Sequence, residues 1–459
     1  MTQQYDLYLN GQWVESQSDE WLEVVNPANK EVIAQVPAAQ KADVEIAVEG
    51  AYNALNTWKF MEVDKRIQYM EKIFKYLKDH ADDIAITLSK ELGVPMHKAK
   101  DMHVAGYFDE IETYIKTARE MKYIEEKDGY ELHKEPVGVV ALITPWNYPF
   151  GQIVRKFFPA LLTGNTVVLK PSQKTPLTAY YFADACEQVG IPDGVFQLLP
   201  GRGSEVGDLL ATHKLINKIS FTGSTKGGTE IAQQAVSGVK RVTLELGGKS
   251  PAIILEDADL ELAAKQVLNT VYSNVGQSCS AATRVLAPRA MRDQVEKAFV
   301  DRTKEYTFGH PEDENTDVGP LQSEQQYEKV TEFIKKGKES ATLLYEGETQ
   351  STEGYNVPPV IFTDVDNKSE IAQEEIFGPV LSIIYYDTLD EALTMANDVK
   401  YGLSAMVFGE ESKAKEVAKQ ILSGEVFIND SGDSTNAPFG GFKQSGMGRE
   451  GGPYALDEY

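Results

Sequence analysis

Val139-Val140-Ala141-Leu142-Ile143-Thr144-Pro145-Trp146-Asn147-Tyr148-Pro149 decides the fold, together with Thr166-Val167-Val168-Leu169-Lys170-Pro171-Ser172 a helix-length further on. Each stretch opens with a short β-branched run, breaks at a turn, and leads into a segment with apolar residues three to four apart. That is the signature of a buried strand feeding a crossover helix. Further runs of the same kind fall at 195–199, 219–222, 242–246 and 252–255, with helical stretches at 176–189, between Thr175 and Gly190, and at 205–213. Such alternation predicts right-handed crossovers and a doubly wound parallel sheet, with ligands at the carboxyl ends of its strands.

Working outward, residues up to about 118 add a short strand region at 5–14 and long amphipathic helices, including 63–92, that cover this sheet. The pattern restarts after Pro251 with a helix at 260–273, a strand at 283–287 and further alternation to Asn429, a second α/β unit. Two pieces stand outside both units. One is 122–135, a polar hairpin turning at Asp128-Gly129, and the other is the tail after Asn436. The expected division is therefore a first α/β domain from 1–118 and 137–247, a second from 248–435, and a small β element from 119–136 and 436–459. Polar hairpins of this kind pair sheet edges between subunits.

Composition narrows the function classes. The chain has 459 residues, 45 basic against 70 acidic, for a formal charge of −25, and 42% hydrophobic content. It is long enough to bury a large core without covalent staples. Cys186 and Cys279 are its only cysteines and its six histidines form no HExxH pair, so neither a disulfide framework nor a metal site is expected. The acidic charge is spread along the chain, which argues against nucleic acid or an anionic membrane as partner. No basic and apolar leader opens the sequence, and the longest apolar runs, such as 137–143, fall far short of a membrane span. A soluble, cytoplasmic protein is the expectation.

Few residues carry chemistry. Cys279, in Gly276-Gln277-Ser278-Cys279-Ser280, sits in a turn-like setting with no apolar pattern to explain it. It is either a small buried hydrophobe or an accessible thiol. Cys186 fits the first description, at helical spacing from Phe182 and Val189. Glu245 interrupts an apolar strand and precedes Gly247-Gly248. It is either a satisfied structural carboxylate or a base in a cleft whose pKa burial has raised. Asn147 either caps the helix after Pro149 or offers an amide to a developing oxyanion. Gly201-Arg202-Gly203 with Gly207 is one residue too long for a GxGxxG match and reads as a tight turn. Phe221-Thr222-Gly223-Ser224-Thr225 has the geometry to receive a pyrophosphate at a helix amino terminus. Lys170 either meets ribose hydroxyls or reaches into solvent.

Taken together, these segments resemble the aldehyde dehydrogenase superfamily over essentially the whole chain. Pro145-Trp146-Asn147, Lys170-Pro171-Ser172, Phe221-Thr222-Gly223-Ser224, Leu244-Glu245-Leu246-Gly247-Gly248-Lys249, Gly276-Gln277-Ser278-Cys279, Glu374-Glu375-Ile376-Phe377-Gly378-Pro379 and Pro438-Phe439-Gly440-Gly441 occur in that family's order. The resemblance implies a dinucleotide-binding first domain, a catalytic second domain and an oligomerisation element. It implies Cys279 as nucleophile, Glu245 as general base, Asn147 as oxyanion donor with the Cys279 amide, and Glu450 as a second acid that relays protons. It implies a cofactor site of Trp146, Lys170, Ser172, Gln173, Gly223, Ser224, Leu246, Glu375 and Phe377. Within it Lys170 and Glu375 take the two riboses, Ser224 the pyrophosphate, and Trp146 and Phe377 the nicotinamide end. The implied reaction oxidises an aldehyde to a carboxylic acid with NAD(P)+ through a thiohemiacetal and a thioester on Cys279.

Departures from the family pattern shape the finer expectations. Gln173 stands where many members carry a glutamate on the adenine ribose, so a 2′-phosphate is not repelled and NADP is tolerated beside NAD. Arg155 matches an arginine of enzymes for succinic semialdehyde or lactaldehyde and is either a carboxylate or hydroxyl fork or a surface helix charge. Ser273 replaces the second arginine of the semialdehyde enzymes. Ser278, Ser280, Phe439 and Asp433 complete an expected mouth for a short polar aldehyde, a semialdehyde or hydroxyaldehyde. A homodimer or homotetramer is the expected assembly, although the tail ends earlier than is usual in the family. Two other classes fit parts of the pattern: a thiol hydrolase or acyltransferase without nucleotide, and a catalytically silent relative.

Overall fold

The computed structural model describes residues 2–432 and 434–459. Asp433, expected at the mouth of the site, lies outside them. Five parallel strands form the middle of the first sheet in the order Arg241–Glu245, Lys218–Thr222, Val139–Ile143, Thr166–Lys170, Phe196–Leu198. The chain enters at Val139–Ile143, winds outward to one side, then crosses over and winds outward to the other. The topological switch point therefore lies between Val139–Ile143 and Lys218–Thr222, where a crevice opens at the carboxyl ends. The hairpin Leu7–Leu9 and Gln12–Val14 extends one edge antiparallel. Gly446–Met447 from the tail closes the other, opposite Leu244 and Glu245.

The expected strand runs agree with the observed ones to within a residue or two, but 252–255 belongs to the other sheet, as Pro251–Ile254. That second sheet runs Thr342–Glu346, Val360–Thr363, Val380–Tyr386, Arg284–Pro288, Pro251–Ile254, Ser404–Phe408, Glu425–Ile428, parallel except at Thr342–Glu346. Central strands such as Val139–Ile143 and Pro251–Ile254 read as continuous apolar runs because helices cover both faces, and each sheet has its own core. Cys186 is fully buried in the first, as its spacing predicts.

Local details depart from the sequence pattern. The stretch 63–92 is two helices, Val63–Asp79 and Ala81–Leu92, broken at His80. The stretch 205–213 is a π-helical turn, Gly203–Gly207, running into Asp208–Thr212. A further small sheet of Gln3–Gln4, Trp21–Val25 and Val32–Pro37 has no counterpart in the sequence reading. The polar hairpin forms as Ile124–Lys127 and Tyr130–His133. The tail runs back over the first sheet, where Val137 N and Asn165 Nδ2 donate to the Tyr459 carbonyl, both at 3.0 Å, and it touches the hairpin segment through Lys134 and Asp457. Among the described residues no helix is long and apolar enough to cross a membrane, and no cluster of three His, Cys, Asp or Glu could hold a metal ion.

Candidate active site

The site forms where the carboxyl ends of the first sheet meet the amino ends of the second. Asn147 and Trp146 follow Val139–Ile143, Glu245 ends Arg241–Glu245, while Cys279 and the 374–379 segment precede Arg284–Pro288 and Val380–Tyr386. Cys279 opens onto a cavity of about 710 Å³ that also reaches Ser278, Ser280, Ser273, Arg155 and Phe439. The thiol is not a buried hydrophobe in a core. Its pKa is pushed up to about 12, first by burial and then by the Glu375 and Glu245 carboxylates, so its resting form is the thiol.

Close backbone approach holds the cysteine loop. Gly276 has φ +78°, and a Cβ there would lie 2.1 Å from the Gly378 carbonyl oxygen, so only glycine lets the two loops meet. Phe377, next in line, sits at φ +63°, a strained left-handed conformation for an aromatic residue. Asn147 does not cap its helix: the cap is Tyr148, without a side-chain bond. The Asn147 amide instead donates to the Gln277 carbonyl at 3.0 Å, and Asn274 Nδ2 donates to the Asn147 carbonyl at 2.9 Å. Asn147 is thus anchored two residues from the thiol.

Glu245 is 2% exposed and neither carboxylate oxygen has a hydrogen-bond partner. Burial raises its pKa well above the usual carboxylate range, and the Glu450 charge pushes the same way against Lys156 and Arg155. Such an unpartnered acid is costly to fold, which makes a purely structural role a poor account of it. Glu450 is also buried, but its oxygens accept from Lys156 Nζ at 2.7 and 2.8 Å and from Ser220 Oγ at 2.9 Å. Lys156, which sequence reasoning missed, is fully buried and also donates to Thr222 Oγ1 at 2.6 Å. Its only sequence signal is a lysine inside the apolar helix Pro149–Leu162.

Arg155 is not a surface charge. Its Nε donates to both Glu110 oxygens, at 3.2 and 3.3 Å, and its guanidinium lies over Phe439 at 4.7 Å and Tyr107 at 5.7 Å. Glu110 and Tyr107 went unnoticed in the sequence because they come from a segment about 45 residues upstream that no site motif covers. Ser278 and Ser280 hydroxyls stand 3.3 Å apart at the cavity wall.

A second group of residues gathers at the switch point. Trp146 and Phe377 meet edge to face, 5.4 Å between centroids. Lys170 does not reach into solvent: it is buried, donates to the Pro171 carbonyl at 2.9 Å, and has its pKa lowered to about 8 by burial. Ser172 and Gln173 follow it, half-buried. Ser224 caps the helix Thr225–Val236, accepting from Gly227 N, with Gly223 before it and Leu246 on the adjacent strand end. Glu375 accepts from Gly248 N at 3.0 Å, and a Cβ on Gly247 would stand 2.6 Å from its Oε2. A helix amino terminus after Gly223-Ser224, a buried lysine and a pinned carboxylate fit a dinucleotide's pyrophosphate and two riboses. Lys249, fully buried with an unpartnered Nζ and a pKa lowered to about 7, adjoins this group and was not singled out in the sequence.

Comparison with known proteins gives a consistent result. The model of the aldehyde dehydrogenase family matches residues 13–459. A Staphylococcus aureus (strain bovine RF122 / ET3-1) protein described as a candidate aldehyde dehydrogenase is 43% identical over 458 residues, covering 98% of this chain and 96% of the relative. Among solved structures, Pseudomonas syringae aldehyde dehydrogenase C, a cysteine-to-alanine variant with NAD+ and octanal, superposes with TM-score 0.97 at 40% identity, over 99% of this chain and 95% of that one. Staphylococcus aureus betaine aldehyde dehydrogenase with NAD+ gives 0.95 at 36% identity, over 99% and 92%.

Proposed function

This chain belongs to the aldehyde dehydrogenase family, and we propose that it oxidises short polar aldehydes to carboxylic acids with NAD+ or NADP+ through a covalent adduct on Cys279. One observation carries the reading: a thiol open to a cavity stands beside an anchored amide donor and a buried, unpartnered carboxylate. Trp146, Lys170, Ser172, Gln173, Gly223, Ser224, Leu246, Glu375 and Phe377 would hold the dinucleotide. When bound, it supplies the hydride acceptor.

The chain's own residues do the remainder. Cys279 gives its proton to Glu245 and attacks the aldehyde carbon, forming an S–C bond and an oxyanion. Asn147 Nδ2 and the Cys279 N–H donate to that oxygen. Once Glu245 has given that proton up to solvent and the adduct has become a thioester, the Glu245 carboxylate takes a proton from water, the resulting hydroxide displaces the Cys279 thiolate as the carboxylic acid forms, and Glu245 returns the proton to the sulfur. An Asn147→Ala enzyme is expected to lose a hundredfold or more in kcat, since one oxyanion donor contributes about 2.7 to 4 kcal/mol. A kcat within threefold of wild type would remove Asn147 from that role.

The substrate follows from the Arg155 pair. Glu110 already balances the guanidinium charge, so the cavity favours a hydroxyaldehyde, which needs a hydrogen-bond donor, over a semialdehyde, which needs a free cation. Absorbance at 340 nm with glycolaldehyde, lactaldehyde, succinic semialdehyde and alkanals, each with NAD+ and NADP+, tests substrate and cofactor together. The expected result is at least tenfold higher kcat/KM for the hydroxyaldehydes, and NADP+ within a hundredfold of NAD+ because Gln173 carries no charge. Preference for succinic semialdehyde would reverse the first assignment, and a thousandfold loss with NADP+ the second. We place the enzyme in the cytoplasm as a homodimer or homotetramer, with the exposed hairpin Ile124–Lys127 and Tyr130–His133 among the contacts between copies.

A further inference from the structure

At the amino end of the second sheet two buried cations lie next to each other without an anionic partner. Lys249 stands just ahead of Pro251–Ile254 and Arg284 opens Arg284–Pro288, and the register sets Pro251 beside Arg284. Both side chains are fully buried. Every acceptor of the Arg284 guanidinium is neutral: Nε donates to the Lys249 carbonyl at 2.9 Å, Nη1 to Asn367 Oδ1 at 3.0 Å and the Met395 carbonyl at 3.1 Å, and Nη2 to the Ala396 carbonyl at 3.1 Å. Lys249 Nζ has no hydrogen-bond partner. Lys443 brings a third positive charge, donating to the Asn397 and Val399 carbonyls at 2.7 and 3.1 Å. Among the described residues none of the three forms an ion pair. Buried charges are ordinarily paired, because an unpaired one loses its hydration without compensation. The basicities reflect this. Burial lowers the Lys249 pKa to about 7 and the Arg284 charge pushes the same way, as does Lys329, while Glu375 and Glu374 pull against them. Glu375 acts less strongly than Arg284 and is already committed to Gly248 N.

A cavity of about 10 Å³, room for one particle the size of a water, adjoins these groups. Lys249, Ser250 and Ser423 line it, and Lys249 Nζ, Ser250 Oγ and Ser423 Oγ are each buried and unpartnered. Ala396 and Val399, whose carbonyls hold Arg284 and Lys443, line it too. One ammonium and two hydroxyls, all able to donate, thus share one small space. A water there would satisfy the hydroxyls and leave the positive charge uncompensated, whereas an anion does both. We propose that Lys249, Ser250 and Ser423 form a binding site for one small monovalent anion of chloride size, the counter-ion to the Lys249 and Arg284 charges. Phosphate and other polyatomic anions are too large for it. The site lies outside the aldehyde cavity, so it stands or falls apart from the reaction proposed above. The anion favours the protonated lysine. Its affinity therefore falls as pH rises past about 7, where the unbound ammonium loses its proton.

Bromide, a heavier substitute for chloride, tests this directly. Crystals of the whole chain grown in sodium bromide and measured at the bromine absorption edge are expected to show an anomalous peak between Lys249 Nζ, Ser250 Oγ and Ser423 Oγ, and none in Lys249→Met. In solution, replacing sodium gluconate by sodium chloride at constant ionic strength and about pH 6 is expected to raise the melting temperature by about 2 °C, saturably, since a ligand of the folded state stabilises it. That rise should fade by about pH 9, as the ammonium deprotonates, and be absent from Lys249→Met. If Lys249→Met does not fold, Ser423→Ala, which keeps the charge and loses one donor, should need a severalfold higher chloride concentration for the same rise. Wild-type crystals without a bromine signal at this position overturn the proposal and leave a bridging water. A bromine peak without a saturable shift in solution is an adventitious ion only and overturns it as well. A peak that persists in Lys249→Met removes Lys249 from the site and the proposal with it.

Discussion

Cys279→Ala is expected to form no NADH or NADPH with any aldehyde, a loss limited only by the detection floor of the 340 nm assay. The nucleophile has no substitute. Cys186 is fully buried in the first core with its thiol pKa pushed far up by burial, and the adjacent Ser278 and Ser280 hydroxyls are paired with each other rather than with a base. Folding should survive, because Cys279 lines a cavity rather than filling a core, and an unchanged melting temperature would confirm that the loss is chemical. The thiol's raised pKa adds a second expectation: without a base, alkylation by iodoacetamide at neutral pH should be slow, since the thiolate is the reactive form. Turnover surviving in Cys279→Ala would assign the chemistry to another group and dismiss the covalent route.

Glu245→Gln is expected to lower steady-state turnover about a thousandfold, within the range general-base catalysis supplies. The amide is nearly the same shape, and the carboxylate it replaces makes no hydrogen bond, so packing should barely change. What disappears is the proton acceptor for water, and acyl-enzyme should accumulate, visible as a mass increment on Cys279 by intact-protein mass spectrometry. The pH profile gives an independent check. Burial and Glu450 hold the Glu245 carboxyl well above the ordinary carboxylate range, so its basic form is scarce in acid and gains population as pH rises. Wild-type kcat should therefore climb with rising pH above the ordinary carboxylate range, and the Gln variant should lose that limb. A Gln variant that turns over normally, with the same climb, would show that another group activates water.

The motif segments around the candidate site were legible in the sequence because glycine, proline and charge interrupt otherwise apolar strands there. Glu245 stood out against Val242-Thr243-Leu244, and Asn147 between two prolines. What the residues left undecided, the fold resolves by partner: Asn147 bonds the cysteine loop instead of its own helix, Lys170 turns inward, and Arg155 meets Glu110. Neither the Asn147 nor the Arg155 pairing has a sequence signal, since those partners lie 130 and 45 residues away.

By itself the sequence determined the two α/β units and the strand runs, and it marked the candidate site residues, because hydrophobic period and turn chemistry act over a few residues. Only the tertiary structure decided which ends of the sheets face each other. The carboxyl-end rule locates the crevice of the first sheet, yet Cys279 arrives from the amino end of the second, a docking that no local pattern encodes. The same holds for charge. Whether Glu245 is a base and Arg155 a free cation depends on desolvation and on neighbours within a few ångströms, and those are properties of the packed molecule rather than of the chain.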